Sequence, residues 1–486
     1  MADISRNPES SIEKGELLDD LRILDLTVEG KAVARHHGRV VFLESGLPGA
    51  RVQARVTEVK TKIILAETVQ LLESSPYEAA PWCPHFEECG GCNWQHFSVE
   101  AALDWKRRHV HETLTRIGKL DKDIPVLPVT QSPFLRAFRN KMSFVFGEHE
   151  GCPNLGLRKW KSHELATIDD CGVIHPQTAE ILRYMREAVV RLGLNAWRLT
   201  ARTKDQEKQK ISGYLRYLIV RTSSGSAGQK PQFLLECITG TGHESPVSNN
   251  GKISNKNAVK ILANELIEHF ALSGFVHSER KSLAALAQGE KLVEVYGENS
   301  LTEQVGHIPL TIPYNTFFQT NTGAASLLYE HIAREAALTG KETVWDLYCG
   351  VGGIGLFLAR EAKAVHGFEI SEAAVRAARL NAHVLHADHC SFHAGDVTSS
   401  ICLRQPAPDV IIVDPPRSGL SSLAVELLLK APTAQKLLYV SCNASTQARD
   451  SFLLSNQWHP VKSIPVDMFP YTPHIENLLV LNRSCG

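Results

Sequence analysis

Three short segments in the last quarter of the chain combine residue types that do chemistry. Asp414-Pro-Pro-Arg417-Ser-Gly419 follows the apolar run Val410-Ile-Ile-Val413. The prolines must stop a strand there, which leaves Asp414 at its carboxyl end, where open α/β sheets hold their ligands. Ser441-Cys442-Asn443 follows a second apolar run, Leu437-Leu-Tyr-Val440. A cysteine just past a strand, at that same edge, can serve as a nucleophile; a small buried hydrophobe is the commoner use of the residue. His474-Ile-Glu476 precedes a third apolar run, Leu478 to Leu481. Glu476 alone reads as a surface acid, but within reach of Cys442 it becomes a base.

A fourth segment has the composition of a nucleotide site. Asp346-Leu-Tyr-Cys-Gly350-Val-Gly-Gly-Ile-Gly355 lies where the buried-type strand Val344 to Tyr348 turns into a helix. Gly350, Gly352 and Gly355 satisfy G-x-G-x-x-G, a pattern that serves a dinucleotide equally well. Glu369 ends the next strand, 19 residues after Gly350. An acid at that place accepts hydrogen bonds from ribose hydroxyls. Together these features point to an adenosine-containing cofactor without choosing which.

Far upstream, Cys83-Pro-His-Phe-Glu-Glu-Cys89-Gly-Gly-Cys92 spaces three thiols as C-x5-C-x2-C. Gly90 and Gly91 permit the tight wrap that brings two thiolates to one metal centre. A fourth ligand is required, and Cys152 and Cys171 are the near candidates. Thiolate spacing alone suits zinc and iron–sulfur alike. Two further segments, Arg136-Ala-Phe-Arg139-Asn140-Lys141 and Gly156-Leu-Arg158-Lys159-Trp160-Lys161, mix basic and aromatic residues. They could hold phosphates and stack bases, or form an ordinary solvated face.

These segments need elements to position them. From Ile312 onward strands and helices alternate, including a helix from Ser371 to Leu385, as in a doubly wound parallel sheet. The stretch Leu21 to Leu72 is β-rich and turn-punctuated, which suits a small OB-like barrel. A helix is expected from Ser98 to about Ile117. The middle, Pro125 to Leu310, mixes strands and helices. Lys204 to Lys210 and Gly242 to Asn257 read there as surface loops or insertions.

The whole chain sets outer limits. It has 486 residues, 43% hydrophobic and 22% charged, which excludes wholesale disorder and coiled coil. Lys plus Arg number 52 against 53 Asp plus Glu, a net charge of −1, so any nucleic-acid footprint must be local. The start, MADISRNPES, lacks a basic region followed by an apolar core, and no apolar run reaches a membrane span. A cytoplasmic chain is expected, in which the 11 cysteines serve as ligands or nucleophiles rather than disulfides.

Phe317-Phe-Gln-Thr-Asn321, Asp346-Leu-Tyr-Cys-Gly350, Asp414-Pro-Pro-Arg417, Ser441-Cys-Asn443 and His474-Ile-Glu476 occur in this order. Together they resemble the RNA uracil-C5 methyltransferases that use S-adenosylmethionine. The N-terminal β domain is similar to the TRAM module that accompanies many of them. The resemblance implies an α/β fold with a doubly wound, Rossmann-like catalytic domain at 311–486. It also implies an OB-like TRAM barrel at 13–76 and a mixed α+β central domain at 77–310, with the helix 98–117 able to pack on the catalytic domain. Cys442 would be the nucleophile and Glu476 the base. Gln319, Tyr348, Glu369 and Asp414 would line the cofactor and base pocket, Tyr348 against the adenine or methionine portion and Glu369 on the ribose. Many relatives carry Asn where this chain has Gly353, so any side-chain contact there is lost. Cys171 matches the family's fourth ligand beside Cys83, Cys89 and Cys92, and the implied group is a [4Fe–4S] cluster with a structural or RNA-positioning role. That cluster marks members acting on large-subunit ribosomal RNA, so the implied product is 5-methyluridine in 23S-type RNA, with transfer RNA the other substrate. The target base is expected to flip into the pocket.

Overall fold

The computed structural model describes residues 12–199, 211–223, 230–241, 253–398, 404–431 and 433–484. The chain divides into two compact units. The first holds the residues up to Trp82, Cys92–His109 and Tyr471–His474. The second holds Cys83–Gly91, Val110–Pro470 and the chain from Ile475.

The first unit is a closed barrel of β1 (Leu17–Leu26), β2 (Ala32–His36), β3 (Arg39–Leu43), β4 (Arg51–Val59) and β5 (Ile63–Glu73), in the order β1-β2-β3-β5-β4. Alternation along β4 sends Val52, Ala54 and Val56 inward and leaves Arg51 and Arg55 in solvent. Closure removes the free edges of so small a sheet. The β2–β3 turn is made by His37 and Gly38, both at positive φ, the backbone a two-residue hairpin needs. Trp94, Phe97 and Trp105 join the barrel core, and the Trp105 indole N–H donates to Asp25 Oδ1 at 2.9 Å.

Helix α1 spans Val99–Arg116, within a residue of the expected limits. Its later residues Val110 and Leu114 are buried in a core of the second unit. That unit contains two sheets. In the central one, β6 (Lys141–His149), β7 (Cys152–Arg158) and β8 (Leu165–Thr167) precede α2 (Gln177–Arg191) and the short pair β9 (Arg198–Leu199) and β10 (Ile211–Ser212). Then come β11 (Leu215–Ser223), β12 (Gln232–Gly240), α3 (Asn255–Phe270), β13 (Gly274–Arg280) and β14 (Lys291–Gly297). The strand order is β14-β13-β12-β11-β6-β7-β8. The polar stretch 204–210 lies outside the described residues. So does most of 242–257, whose described end caps α3 through the Ser254 hydroxyl.

A hairpin of β15 (Ser300–Val305) and β16 (Ile308–Pro313) leads to α4 (Thr322–Ala336), capped by the Asn321 side chain. The catalytic-type sheet follows: β17 (Thr343–Leu347), α5 (Gly353–Leu358), β18 (Ala364–Glu369), α6 (Glu372–Val384), β19 (Cys390–Ala394) and β20 (Val410–Val413). It continues with α7 (Ser422–Leu429), β21 (Lys436–Ser441), α8 (Ala444–Leu454), β22 (Trp458–Val466) and β23 (Glu476–Arg483). The order is β19-β18-β17-β20-β21-β23-β22. The first five strands are parallel, and β23 runs antiparallel between β21 and β22. The strand order reverses between β17 and β20, which opens a crevice at their carboxyl ends. Because β23 runs backwards, its first residue, Glu476, lies at that same edge.

Candidate active site

The turn after β17 builds the first wall of the crevice. Tyr348, Gly350 and Gly352 all have positive φ, at 65°, 55° and 82°. For Tyr348, not a glycine, such a conformation costs energy and marks a constrained site. A side chain at Gly350 would meet nothing within 4 Å, so the turn leaves open space there. Its N–H donates to Glu369 Oε2 at 3.2 Å, and the Ser371 N–H donates to Glu369 Oε1 at 2.8 Å. Glu369 is therefore oriented, and each oxygen keeps a second acceptor site. Asp346 takes one N–H, from Gly355 at 2.9 Å on Oδ2, while its Oδ1 is buried without a partner. Burial raises its carboxyl to about pH 7. A Cβ at Gly353 would lie 2.6 Å from the Tyr329 hydroxyl, so the phenol occupies the room a side chain would need.

The second wall carries the reactive groups. Asp414 follows β20, and Gln319 Nε2 donates to its Oδ2 at 3.2 Å. Desolvation nonetheless holds its carboxyl up, at about 7. Cys442 follows β21. Ser441 of that strand pairs with Asn477 of β23, so Cys442 and Glu476 are brought together across the register. Glu476 is only 2% exposed, and its Oε1 has no hydrogen-bond partner. Burial first, then the charge of Asp414, pushes its pKa well above the usual carboxylate range. The Cys442 thiol is pushed up to about 11 by burial and by Glu476. Arg417 opposes both shifts, and it hydrogen-bonds to the sulfur.

Arg417 is held from behind. Its carbonyl accepts from Asn443 Nδ2 at 3.1 Å and Thr446 Oγ1 at 3.2 Å. The end of its loop is fixed by the Leu420 N–H donating to buried Asp450 at 2.7 Å. Beneath Glu476, Asn477 is locked into a polar network. Ser463 Oγ donates to its Oδ1 at 2.7 Å, and its Nδ2 donates to Gln447 Oε1 at 2.7 Å. The crevice thus gathers four carboxyls, Asp346, Glu369, Asp414 and Glu476, against one guanidinium. Such a pocket favours a cationic ligand. Beside it stand a thiol and a carboxyl whose charged forms repel each other.

Residues 285–484 match the family model described as tRNA (Uracil-5-)-methyltransferase, and residues 20–69 match the TRAM domain. A protein of Nitratidesulfovibrio vulgaris described as an uncharacterized RNA methyltransferase is 38% identical over 473 residues, 95% of this chain and 96% of that one. One of Halalkalibacterium halodurans with the same description is 31% identical, covering 97% and 98%. The chain belongs to the RNA uracil-5-methyltransferase family. The crystal structure of Pyrococcus abyssi tRNA (uracil-54, C5)-methyltransferase in complex with S-adenosyl-L-homocysteine is 25% identical. It covers 95% of this chain and all of that one, with a TM-score of 0.70. The TRAM match coincides with the closed barrel, and the Rossmann-like sheet is that of the neighbour.

In this methyltransferase the cysteine segment lies apart from the crevice. Cys83, Cys89 and Cys171 of the second unit are half-buried and close enough for mutual charge repulsion to count, and burial raises Cys171 to about 11. The Gly91 N–H reaches Cys89 Sγ at 3.4 Å. A Cβ at Gly90 would lie 3.1 Å from the Arg158 carbonyl oxygen, so a side chain there would crowd that backbone. Cys92 belongs to the first unit, and Cys152 is exposed. Among the described residues no group of three or more His, Cys, Asp or Glu is arranged to hold a metal ion.

The sequence reading named Gln319, Tyr348, Glu369, Asp414, Cys442 and Glu476, and all lie along this edge of the methyltransferase. It expected Glu476 just before a strand; the structure makes it the first residue of β23, buried by its neighbours on both sides. Arg417, Asp346 and Tyr329 were not singled out for the site. The first two lie within Asp414-Pro-Pro-Arg417 and Asp346-Leu-Tyr-Cys-Gly350. Tyr329 carried no signal, since a tyrosine on an amphipathic helix looks like any core residue. Of the basic segments, Lys159 is paired with Glu88 at 3.1 Å, whereas Trp160 is exposed. No helix among the described residues is long and apolar enough to cross a membrane.

Proposed function

We propose that this protein methylates C5 of uracil in RNA, using S-adenosylmethionine, and that its substrate is 23S-type ribosomal RNA in the cytoplasm. The observation that carries the reading is the β21–β23 register, which sets a half-buried thiol beside a buried carboxyl over an acid-rich crevice. The partnerless Asp346 oxygen and the surplus of carboxyls suit the ammonium and sulfonium groups of the cofactor. The oriented Glu369 suits its ribose. When bound, the cofactor supplies an electrophilic methyl group.

The chain's own residues account for the rest. The Cys442 thiolate adds to C6, and the ring electrons move onto C5 and O4 as an enolate. C5 takes the methyl group as its bond to sulfur breaks, leaving S-adenosylhomocysteine. Glu476 then removes the C5 proton, the C5–C6 double bond re-forms and the Cys442 thiolate leaves. Mutual repulsion orders these steps. Glu476 stays protonated while Cys442 carries the charge, and gives its proton to solvent once that charge has passed into the ring, which leaves it free to take the C5 proton. Arg417 supports the thiolate at both ends of the cycle.

In this reading Cys83, Cys89, Cys92 and Cys171 hold a [4Fe–4S] cluster. The thiol donor set, its partial burial and the Gly91 N–H offered to sulfur support that assignment. The cluster would serve the fold or the placing of RNA. Anaerobic purification followed by iron analysis and visible absorption tests it; a protein with zinc alone would overturn it.

One observation favours transfer RNA instead: the solved neighbour is titled a tRNA (uracil-54, C5)-methyltransferase. The deciding experiment is methyl transfer from labelled S-adenosylmethionine to total RNA of cells lacking this gene, with nucleoside mapping. 5-Methyluridine in large-subunit ribosomal RNA supports the proposal. Label in transfer RNA keeps the chemistry and moves the substrate. Absence of label would leave an RNA-binding protein on a methyltransferase scaffold.

A further inference from the structure

The end of the central sheet carries a cluster of cations. Lys141 opens β6 and pairs directly with Arg221 of β11. Arg139 stands two residues earlier, and its Nε donates to the Lys141 carbonyl at 3.0 Å. Three cationic side chains therefore share one sheet end, and Glu236 of β12 faces Lys141 and Arg221. Glu236 is 4% exposed and already accepts from Ser278 Oγ at 2.6 Å. Arg221 is spent on backbone, donating from Nε to the Tyr314 carbonyl at 3.2 Å and from its other end to Thr316. Among the described residues the Lys141 ammonium closes no ion pair.

Burial and the two guanidiniums hold Lys141 down at about 8, against the weaker pull of Glu236. A cation kept half out of water among like charges is poorly satisfied until an anion arrives. The cluster is also tied to the reaction centre. Asn140, between Arg139 and Lys141, donates from Nδ2 to the Gln319 carbonyl at 2.9 Å and to Thr322 Oγ1 at 2.8 Å. Arg139 bridges to Asn321. The Gln319 side chain in turn reaches Asp414. A group bound at Lys141 is therefore held in fixed register with the pocket that Cys442 and Glu476 line.

We propose that Lys141, flanked by Arg139 and Arg221, is an anion subsite that grips an RNA backbone phosphate beside the flipped uridine. This rests on the RNA methyltransferase reading and adds to it a specific grip. An anion there favours the charged lysine, so binding must raise its pKa. By linkage, affinity is full below about pH 8 and falls as the pH rises through the free protein's value.

The test uses the full-length protein, a fluorescein-labelled single-stranded uridine-containing RNA, and the variants Lys141→Met and Lys141→Arg. Wild type should bind roughly tenfold more weakly at pH 9 than at pH 7, the loss expected for one charge-assisted phosphate contact. Lys141→Met should bind as weakly at pH 7 as wild type does at pH 9, with a flat profile and a shallower salt dependence. Lys141→Arg should bind tightly with a flat profile. S-Adenosylhomocysteine binding, measured on each variant, reports an intact fold. If Lys141→Met binds this cofactor product normally and keeps the wild-type affinity and pH slope for RNA, the subsite is wrong. Failure of wild type to methylate any RNA would instead sink the reading beneath it, so the two failures separate.

Discussion

Cys442 and Cys89 are the same residue in opposite company. Around Cys442 stand a carboxyl and a guanidinium, one able to take a proton and the other to steady a thiolate. Around Cys89 stand other thiols, a glycine N–H and the charge of Glu88, whose carboxylate is paired with Lys159. The first neighbourhood cycles charge through one sulfur; the second collects sulfurs whose charges only a cation could relieve. The difference comes from the framework. Cys442 hangs from a rigid sheet edge whose neighbour strand delivers Glu476, whereas Cys83 and Cys89 sit on a turn shaped around Gly90.

The largest effects should fall on the first neighbourhood alone. Cys442→Ala should lower methyl transfer at least about 1,000-fold in a labelled S-adenosylmethionine assay, because addition of its thiolate to C6 is what makes C5 nucleophilic. Cys171→Ser should keep measurable transfer and lose bound iron and its visible absorption. If the two variants behaved alike, the contrast between nucleophile and ligand would collapse.

Glu476→Gln probes the partner of the thiol. It should still add to uracil and accept the methyl group, but release should slow about 100-fold or more. The readout is an RNA–protein band that survives denaturing gels. A variant that turned over normally without such a band would remove Glu476 from the role of base.

Smaller shifts should appear in the alkylation of Cys442 by iodoacetamide, followed by peptide mass spectrometry against pH. The wild-type rate should climb steadily toward pH 11, since thiolate is the reacting form. Removing the repelling carboxyl in Glu476→Gln lowers the thiol pKa, so the rate at pH 9 should rise about threefold. Removing the guanidinium in Arg417→Met raises the pKa, so the rate should fall by about the same factor. Equal profiles in all three proteins would mean that these groups do not face the sulfur in solution.

The smallest effect concerns support. Asn477→Leu would leave Ser463 and Gln447 with unpaired buried atoms and should cost about 2 kcal/mol of stability by denaturant titration. An unchanged midpoint would show that the network under Glu476 is dispensable.

Much of this was legible in the sequence because it is local. Prolines after Val413 end a strand, glycines after Tyr348 make a turn, and alternation in Arg51–Val59 makes a barrel strand. The order of the motifs then points to one chemistry. What was not legible is whatever depends on strands meeting far along the chain. Nothing in Pro473 to Leu481 says that this strand runs backwards beside β21, yet that insertion buries Glu476 next to Cys442. Arg417 reads as part of a proline-rich turn, and only the carbonyl contacts from Asn443 and Thr446 aim it. Lys141 and Glu236 are 95 residues apart and meet only through the central sheet. The cysteine spacing was visible, but which unit each thiol belongs to was not.

The central claim is that Cys442 bonds to C6 of the target base while Glu476 waits for the C5 proton. It can be tested with substrate RNA carrying 5-fluorouridine, which has no C5 proton to give up. Incubation with S-adenosylmethionine, digestion and mass spectrometry should find a methylated fluorouridine attached to the peptide containing Cys442. An adduct on another cysteine, or product formation from ordinary RNA with no adduct on Cys442 in the fluorinated one, would contradict the account.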